Sequence, residues 1–300
     1  MPFPKLPAGA AYLVLDNAPR RNALSIPVLL HLRQQLFKYN TPPGEREPLF
    51  LPPFTPAIYM NGPGEHTVFP KKHSWLVNPK EWQKRRGSLP KVLVLRSEGP
   101  VFSSGHDLKE LDQLDSAQVL RAFDLCGLLT HLIRQSPIPV VGVIQGLASA
   151  AGAQLALATD LPVAIASAQF QLPGMSIGLP CTSASTILSR KLGDAFTYRM
   201  SALAEPVRAD ELPAGVVETV PDEAALDNRV SEIVDKLANH FPAQAQAMGK
   251  WEYWSQTKIE GMTHNDAKWA STMTAIHAST EDAKEGRKAF IEKRAPNWHT

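Results

Sequence analysis

Short unbroken apolar runs alternate with stretches of helical period along most of the chain. Residues 11–15, 91–96, 139–144 and 161–166 are continuous and rich in Val, Leu and Ile, the pattern of strands buried on both faces. Between them the apolar positions recur every three or four residues. Val28, Leu29, Leu32 and Leu36 define a helix opened by Asn22-Ala23-Leu24-Ser25, with Ser25 as its N-cap. A second helix, capped by Asp115 or Ser116, carries Val119, Leu120, Phe123, Cys126, Leu129, Leu132 and Ile133 on its apolar face, and Pro137 and Pro139 stop it. Strand–helix–strand alternation predicts an α/β fold with parallel pairing. Beyond about residue 182 the pattern is mostly helical.

Residues 41–90 break this rhythm. Ten of the 26 prolines fall there, with Phe50, Phe54, Tyr59, Phe69, Trp75 and Trp82 among them. Prolines at that density argue against regular helix or central strand, and the aromatics argue against disorder. The expectation is an ordered, irregular insertion on the surface of the main domain, with the run Lys84-Arg85-Arg86 facing solvent. The predicted organisation is a core over residues 1–220 carrying this insertion, then a helical region over 221–300 with Trp251, Trp254, Trp269 and an amphipathic segment at 281–294.

Composition narrows the function classes. With 44% hydrophobic and 20% charged residues the chain can bury a large core, and a net charge of +2 gives no general affinity for nucleic acid or anionic lipid. Cys126 and Cys181 form no CxxC or Cys/His cluster, so no metal site is expected and a reduced compartment fits. No apolar stretch reaches membrane-spanning length, and the first residues read as neither leader nor presequence, so the expected location is the cytoplasm.

The chemistry concentrates at two corners, Phe102-Ser103-Ser104-Gly105-His106-Asp107-Leu108-Lys109-Glu110-Leu111 and Gly146-Leu147-Ala148-Ser149-Ala150-Ala151-Gly152-Ala153-Gln154. Each reads as a strand that leaves its sheet through small residues and turns into a helix. Small residues let a ligand approach the backbone, and helix N-termini present unpaired N–H groups. If the corners converge, two amides can stabilise one developing oxyanion, which is what a thioester enolate needs. Glu110 reads as the start of a solvated helix face. Thr182, Ser183 and Ser185 read as helix-capping residues, and no Gly-x-Ser-x-Gly elbow occurs.

Together with Pro19-Arg20-Arg21-Asn22-Ala23-Leu24-Ser25, residues 170–180 and Glu285-Gly286-Arg287-Lys288-Ala289-Phe290-Ile291-Glu292-Lys293-Arg294, these motifs resemble the crotonase (enoyl-CoA hydratase/isomerase) superfamily. The Ser-Ser-Gly-His-Asp-Leu-Lys-Glu-Leu wording is shared with its enoyl-CoA hydratase domain-containing protein 3 group. The resemblance covers nearly the whole chain outside residues 41–90. It implies a spiral of ββα units with a C-terminal helical trimerisation region, a homotrimer or hexamer, and a CoA thioester as substrate with no separate cofactor. It also implies an oxyanion hole from the His106 and Ala151 amides. The CoA nucleotide is expected along Asn22, Ala23 and Leu24, with Phe290 and Lys293 near the adenine. Asp107 and Leu108 should flank the pantetheine arm, with Ser104 and Gly174 completing the substrate-binding set.

Departures from the family pattern shape the expected reaction. The two hydratase glutamates are replaced by Gln154 and Gly174, and Thr182 stands where some relatives use an aspartate. Each lost acid–base group costs about 10²–10⁴-fold. Decarboxylation, or a lyase or isomerase step, is therefore expected over hydration, with Cys181 as a candidate weak acid. Related methylmalonyl-CoA decarboxylases also carry Gly-His-Asp at the first corner. Two alternatives stay open: a catalytically silent acyl-CoA-binding or assembly protein, and an enzyme acting on a non-CoA, polyketide-like substrate.

Overall fold

Backbone pairing sorts nine short strands into two sheets. The computed structural model describes residues 3–54, 71–256 and 280–300. Strands β1 (Ala10–Leu15), β2 (Val92–Ser97), β4 (Val140–Ile144), β6 (Leu161–Ile165) and β9 (Glu218–Val220) form a parallel sheet in the order β1-β2-β4-β6-β9. Strands β3 (Val101–Ser103), β5 (Leu147–Ser149), β7 (Gln169–Gln171) and β8 (Val207–Arg208) form the second, with only β8 antiparallel. The chain contributes a longer strand to the first sheet, a shorter one to the second, then a helix, three times in succession. This is the ββα repeat expected from the sequence. The central strands β2 and β4 are buried along nearly their whole length, which explains their unbroken apolar runs.

The repeat decides where the functional loops meet. Val101 pairs with Leu147 and Ser103 with Ala148, while Ala148 pairs with Phe170 and Ser149 with Gln171. Three short parallel strands in this register end side by side. Segments 104–106, 150–151 and 172–174 therefore leave the sheet next to one another. Phe102 and Phe170 are fully buried and fix these ends in the core, each worth roughly 1.5–3 kcal/mol.

The described residues divide between two compact units, one within 1–38, 92–134 and 140–235, the other within 39–91, 135–139 and 236–300. The first contains both sheets. Helices α1 (Ile26–Asn40) and α4 (Ser116–Gln135) lie where the periodicity placed them. Asp115 caps α4 through a reciprocal pair, its carboxylate accepting from the Gln118 amide at 2.8 Å and its own amide donating to Gln118 Oε1 at 3.1 Å. Leu120 corrects the predicted apolar face, since it is 62% exposed.

The second unit corrects the reading of residues 41–90. Helix α2 (Pro79–Arg86) forms there despite the prolines. Pro79 occupies the first turn, where its missing N–H costs nothing, and the Asn78 side chain accepts from the Lys80 and Glu81 amides. Leu49, Leu51, Phe54, Trp75 and Trp82 pack with Ala247, Met248 and Trp251 of a further helix, Ala243–Gln256, so this unit has an apolar core of its own. Tyr59, Phe69 and Trp269 lie outside the described residues. Arg86 is buried rather than solvent-facing.

Asn22 ties the first unit together. It adopts left-handed backbone (φ 52°), which asparagine tolerates better than most residues. Its Nδ2 donates to the Glu98 and Val101 carbonyls at 2.8 and 2.7 Å, and its Oδ1 accepts from the Asn17 amide at 3.1 Å. Asn22→Ala removes all three and leaves buried backbone groups unpaired. We expect a loss of roughly 2–4 kcal/mol in urea unfolding.

Candidate active site

The first corner is built around Gly105. β3 ends at Ser103, whose Oγ donates to the Asn22 carbonyl at 2.8 Å and accepts from the Gly105 amide at 3.2 Å. Gly105 has φ +87°, and a Cβ there would lie 2.8 Å from the Ser149 carbonyl oxygen, 3.1 Å from Ala150 Cβ and 3.5 Å from the Ala151 nitrogen. The two corners touch through this missing side chain. Asp107 then caps the short helix α3 (Leu108–Leu111) by accepting from the Glu110 amide, and Arg20 Nη2 donates to the same carboxylate oxygen at 2.7 Å. Glu110 reaches back to accept from the Ile26 amide at 2.9 Å at the start of α1, so it does structural service rather than opening a solvated face.

The second corner turns through Ala150, held at φ 48°, ψ −116°, a conformation rare for a residue with a Cβ and characteristic of functional turns. Its amide donates to the Gln171 carbonyl at 2.9 Å. Ala151 is thereby the first residue of α5 (Ala151–Ala158), where the amide lacks an intrahelical acceptor and sits at the positive end of the helix. At the first corner it is the Gly105 carbonyl that bonds Leu24, at 2.8 Å, in the bridge between residues 24 and 106. That pairing leaves the His106 amide unused among the described residues.

Both corners open on a pocket with about 540 Å³ of free space, open solvent included. Its other wall comes from residues 173–184, with Gly174, Ile177, Leu179 and Cys181 against it, and Phe123 of α4 closes one side. Among the described residues no carboxylate lines it. Its titratable side chains are His106 and Cys181.

Residues 84–300 match the enoyl-CoA hydratase/isomerase family, more than half of the chain. The protein belongs to this family. Rat enoyl-CoA hydratase domain-containing protein 3, a mitochondrial protein, is 35% identical over 210 residues, covering 69% of each chain. The crystal structure of its human counterpart superposes with a TM-score of 0.74 at 26% identity over 98% of both chains. An enoyl-CoA hydratase from Mycobacterium smegmatis gives a TM-score of 0.76 at 27% identity, over 99% of this chain and 98% of the other. The fold is the crotonase fold, and the two corners above are where this family member carries its cavity.

Of the residues singled out from the sequence, Ser104, His106, Leu108, Ala151, Gly174 and Cys181 line the cavity together. Several others do not. Gln154 is buried inside α5 at 2% exposure, is not among the lining residues, and its Oε1 has no hydrogen-bond partner. Thr182 is exposed, with its hydroxyl 3.4 Å from the Pro180 carbonyl. Thr182 and Ser185 donate to carbonyls instead of capping amides, because α6 (Thr182–Leu192) has Cys181 at its N-cap and no side-chain cap. Asn22, Ala23 and Leu24 are buried, and the Asn22 side chain is consumed by the contacts described above. Asp107 is buried as a cap. Phe290, 85% exposed, and Lys293, in left-handed backbone, belong to the other unit. Phe123, Ile177 and Leu179 line the cavity without having been singled out, since an apolar residue at helical or loop spacing gives no sign of which wall it joins.

Both titratable groups in the cavity are neutral near pH 7. The His106 ring packs on Phe123, centroids 4.5 Å apart at 60°, and neither ring nitrogen makes a well-formed hydrogen bond. Burial pulls its pKa below the usual value, and the nearby Leu24 backbone offsets only part of this. Burial pushes the Cys181 thiol up, a hydrogen bond with the Gly174 backbone partly opposing it. The unfolded chain thus takes up the His106 proton first as pH falls, so His106 makes stability decline below about pH 6.5. His106→Leu should flatten that decline in urea midpoints measured from pH 7.5 to 5.

Gly174, which the resemblance implies takes the place of a glutamate, has no room for a side chain. A Cβ there would fall 1.9 Å from the Leu179 carbonyl oxygen and 2.9 Å from Cys181 Sγ. The Leu179 amide bonds the Gly174 carbonyl at 2.9 Å and closes the loop on this position. Among the described residues no acidic, His and Cys side chains cluster as a metal site would require, and no helix is long and apolar enough to cross a membrane.

Proposed function

We propose that this family member binds an acyl-CoA and forms its thioester enolate, with the His106 and Ala151 amides gripping the thioester oxygen. The observation that carries this reading is the contact of Gly105 with Ser149–Ala151, which brings two otherwise unused amides to one cavity. Removing one oxyanion-hole donor from an acyl-transfer enzyme costs about 2.7–4 kcal/mol of transition-state stabilisation. Hydration needs a base to activate water, and a cavity without a carboxylate offers none.

Decarboxylation of a malonyl-type thioester fits what remains. The bond between the α carbon and its carboxylate breaks, CO₂ leaves, and the electron pair stays as the enolate held by the two amides. A proton then adds to the α carbon. Cys181, kept as a thiol by burial, can supply it and recover its proton from water. The reaction needs no separate cofactor. A lyase or isomerase step that forms the same enolate is the nearest neighbour of this proposal.

The test is turnover of methylmalonyl-CoA, crotonyl-CoA and a Δ3-enoyl-CoA. We expect CO₂ release from the first and hydration of the second slower by several orders of magnitude. Ordinary hydratase rates on crotonyl-CoA would sink the proposal. Tight binding of all three without turnover would instead establish the silent acyl-CoA-binding alternative, and no binding of any CoA ester would favour the non-CoA substrate.

Assembly as a homotrimer or hexamer belongs to this proposal. Phe290 and Ile291, 85% and 77% exposed on the helix Glu281–Glu292, are the apolar surface such an assembly would cover, and light scattering tests it. The cytoplasmic location is likewise proposed. Subcellular fractionation decides it against the mitochondrial location named for the rat relative.

A further inference from the structure

Arg86 is the most unusual charge in the molecule. It closes α2 at 4% exposure inside the second unit, with its guanidinium carbon 5.6 Å from the Trp82 ring centre and 5.9 Å from that of Trp75. Its hydrogen-bond acceptors are neutral and distant, the Leu49 carbonyl at 3.3 Å and Asn40 Oδ1 at 3.5 Å. Among the described residues it makes no ion pair. A buried charge without a counter-charge is costly, and proteins keep one where something else supplies the compensation. Burial pulls the pKa of this guanidinium down to about 9.

Arg86 also lines a pocket within the same unit, with about 460 Å³ of free space, open solvent included. The lining includes a second cation, Lys91, and no carboxylate side chain. Trp82, Leu89, Pro137, Ile138 and Ala243 supply apolar walls. Two cationic side chains, apolar walls and no acidic side chain describe a complement to an organic anion, in a cavity that the main chain of Thr300 also lines. The acyl-CoA cavity described above is separate in its residues, all of which belong to the other unit.

We propose that this second cavity binds a small carboxylate with a short apolar tail, its carboxylate on Arg86 and Lys91 and its tail against Trp82 and Ile138. Planar guanidinium suits planar carboxylate, which meets it with two parallel hydrogen bonds. The apolar walls distinguish such a ligand from inorganic phosphate, which has no tail to bury.

Thermal unfolding and calorimetry of the full chain with butyrate test this, against sodium chloride of matched ionic strength and inorganic phosphate. We expect saturable stabilisation by butyrate. Arg86→Met should weaken its binding at least tenfold, about what one charged hydrogen bond contributes, and Lys91→Met by a smaller factor. Butyrate acting no better than chloride, or equally well on wild type and Arg86→Met, overturns the proposal. Phosphate stabilising as strongly as butyrate overturns the assignment to an organic carboxylate. Should Arg86→Met fail to fold, Arg86→Lys and Lys91→Met carry the test, and unchanged butyrate affinity in both refutes it. A wild type indifferent to butyrate, alongside an Arg86→Lys variant of altered oligomeric mass, would show that a second copy supplies the counter-charge, and the proposal falls.

Discussion

On the proposed reading, Gly105→Ala is expected to lower kcat for thioester turnover by about 10²–10³-fold, the cost of misplacing one oxyanion donor. A single methyl does this because of where it must go. It would lie 2.8 Å from the Ser149 carbonyl oxygen and 3.1 Å from Ala150 Cβ, on backbone at φ +87° that alanine resists. The corners must separate, which on the proposed reading moves the His106 and Ala151 amides apart. The cavity walls from 173–184 are untouched, so the affinity for a CoA ester should change only a few-fold while kcat collapses. Steady-state kinetics with a separate binding titration separates these terms. Unchanged kcat in a folded Gly105→Ala enzyme would show that the two amides do not act together.

On the proposed reading, placing glutamates at 154 and 174 is not expected to give a hydratase. Gln154→Glu puts a carboxylate at 2% exposure with no partner, costing roughly 3–5 kcal/mol at neutral pH. Burial raises the folded-state pKa of that glutamate above its unfolded value. The penalty from this one group is therefore absent in acid, below about pH 4, and grows as pH rises through the carboxylate's titration. Gly174→Glu forces atoms into the Leu179 carbonyl and Cys181, with an overpacking cost of about 1–3 kcal/mol or more. Together they consume much of the 5–15 kcal/mol typical of a domain. We expect the double variant to melt well below wild type and to hydrate crotonyl-CoA no more than about tenfold faster, far short of what two acid–base groups provide. A folded double variant hydrating at hydratase rates would mean that the 173–181 loop opens, and that the missing carboxylates alone had set the reaction.

These two positions also show how far the chain could be read before its coordinates. Gly105 stands out in a small-residue corner, and the part proposed for that corner follows from this chemistry. Gln154 was equally conspicuous as the replacement of a catalytic acid, yet it lies inside α5 rather than on the cavity wall. Arg86 shows the limit from the other side. A Lys-Arg-Arg run reads as a solvated face, and only the packing of Trp75 and Trp82 around it reveals a buried cation. The prolines of 41–90 misled for a local reason. Proline forbids helix interior but suits the first turn, and Asn78-Pro79 is a helix start.

From its sequence alone the protein had its strands, its two glycine- and alanine-rich corners and its absent carboxylates, because periodicity, backbone permissiveness and side-chain chemistry are local properties. Tertiary structure decided which of the chemically interesting residues share a cavity. The register of β3, β5 and β7 brings strand ends from positions 103, 149 and 171 together. Closure of the 173–181 loop removes the space for a side chain at Gly174. Both depend on pairings between segments far apart in the chain, and no local pattern encodes the distance between two such segments.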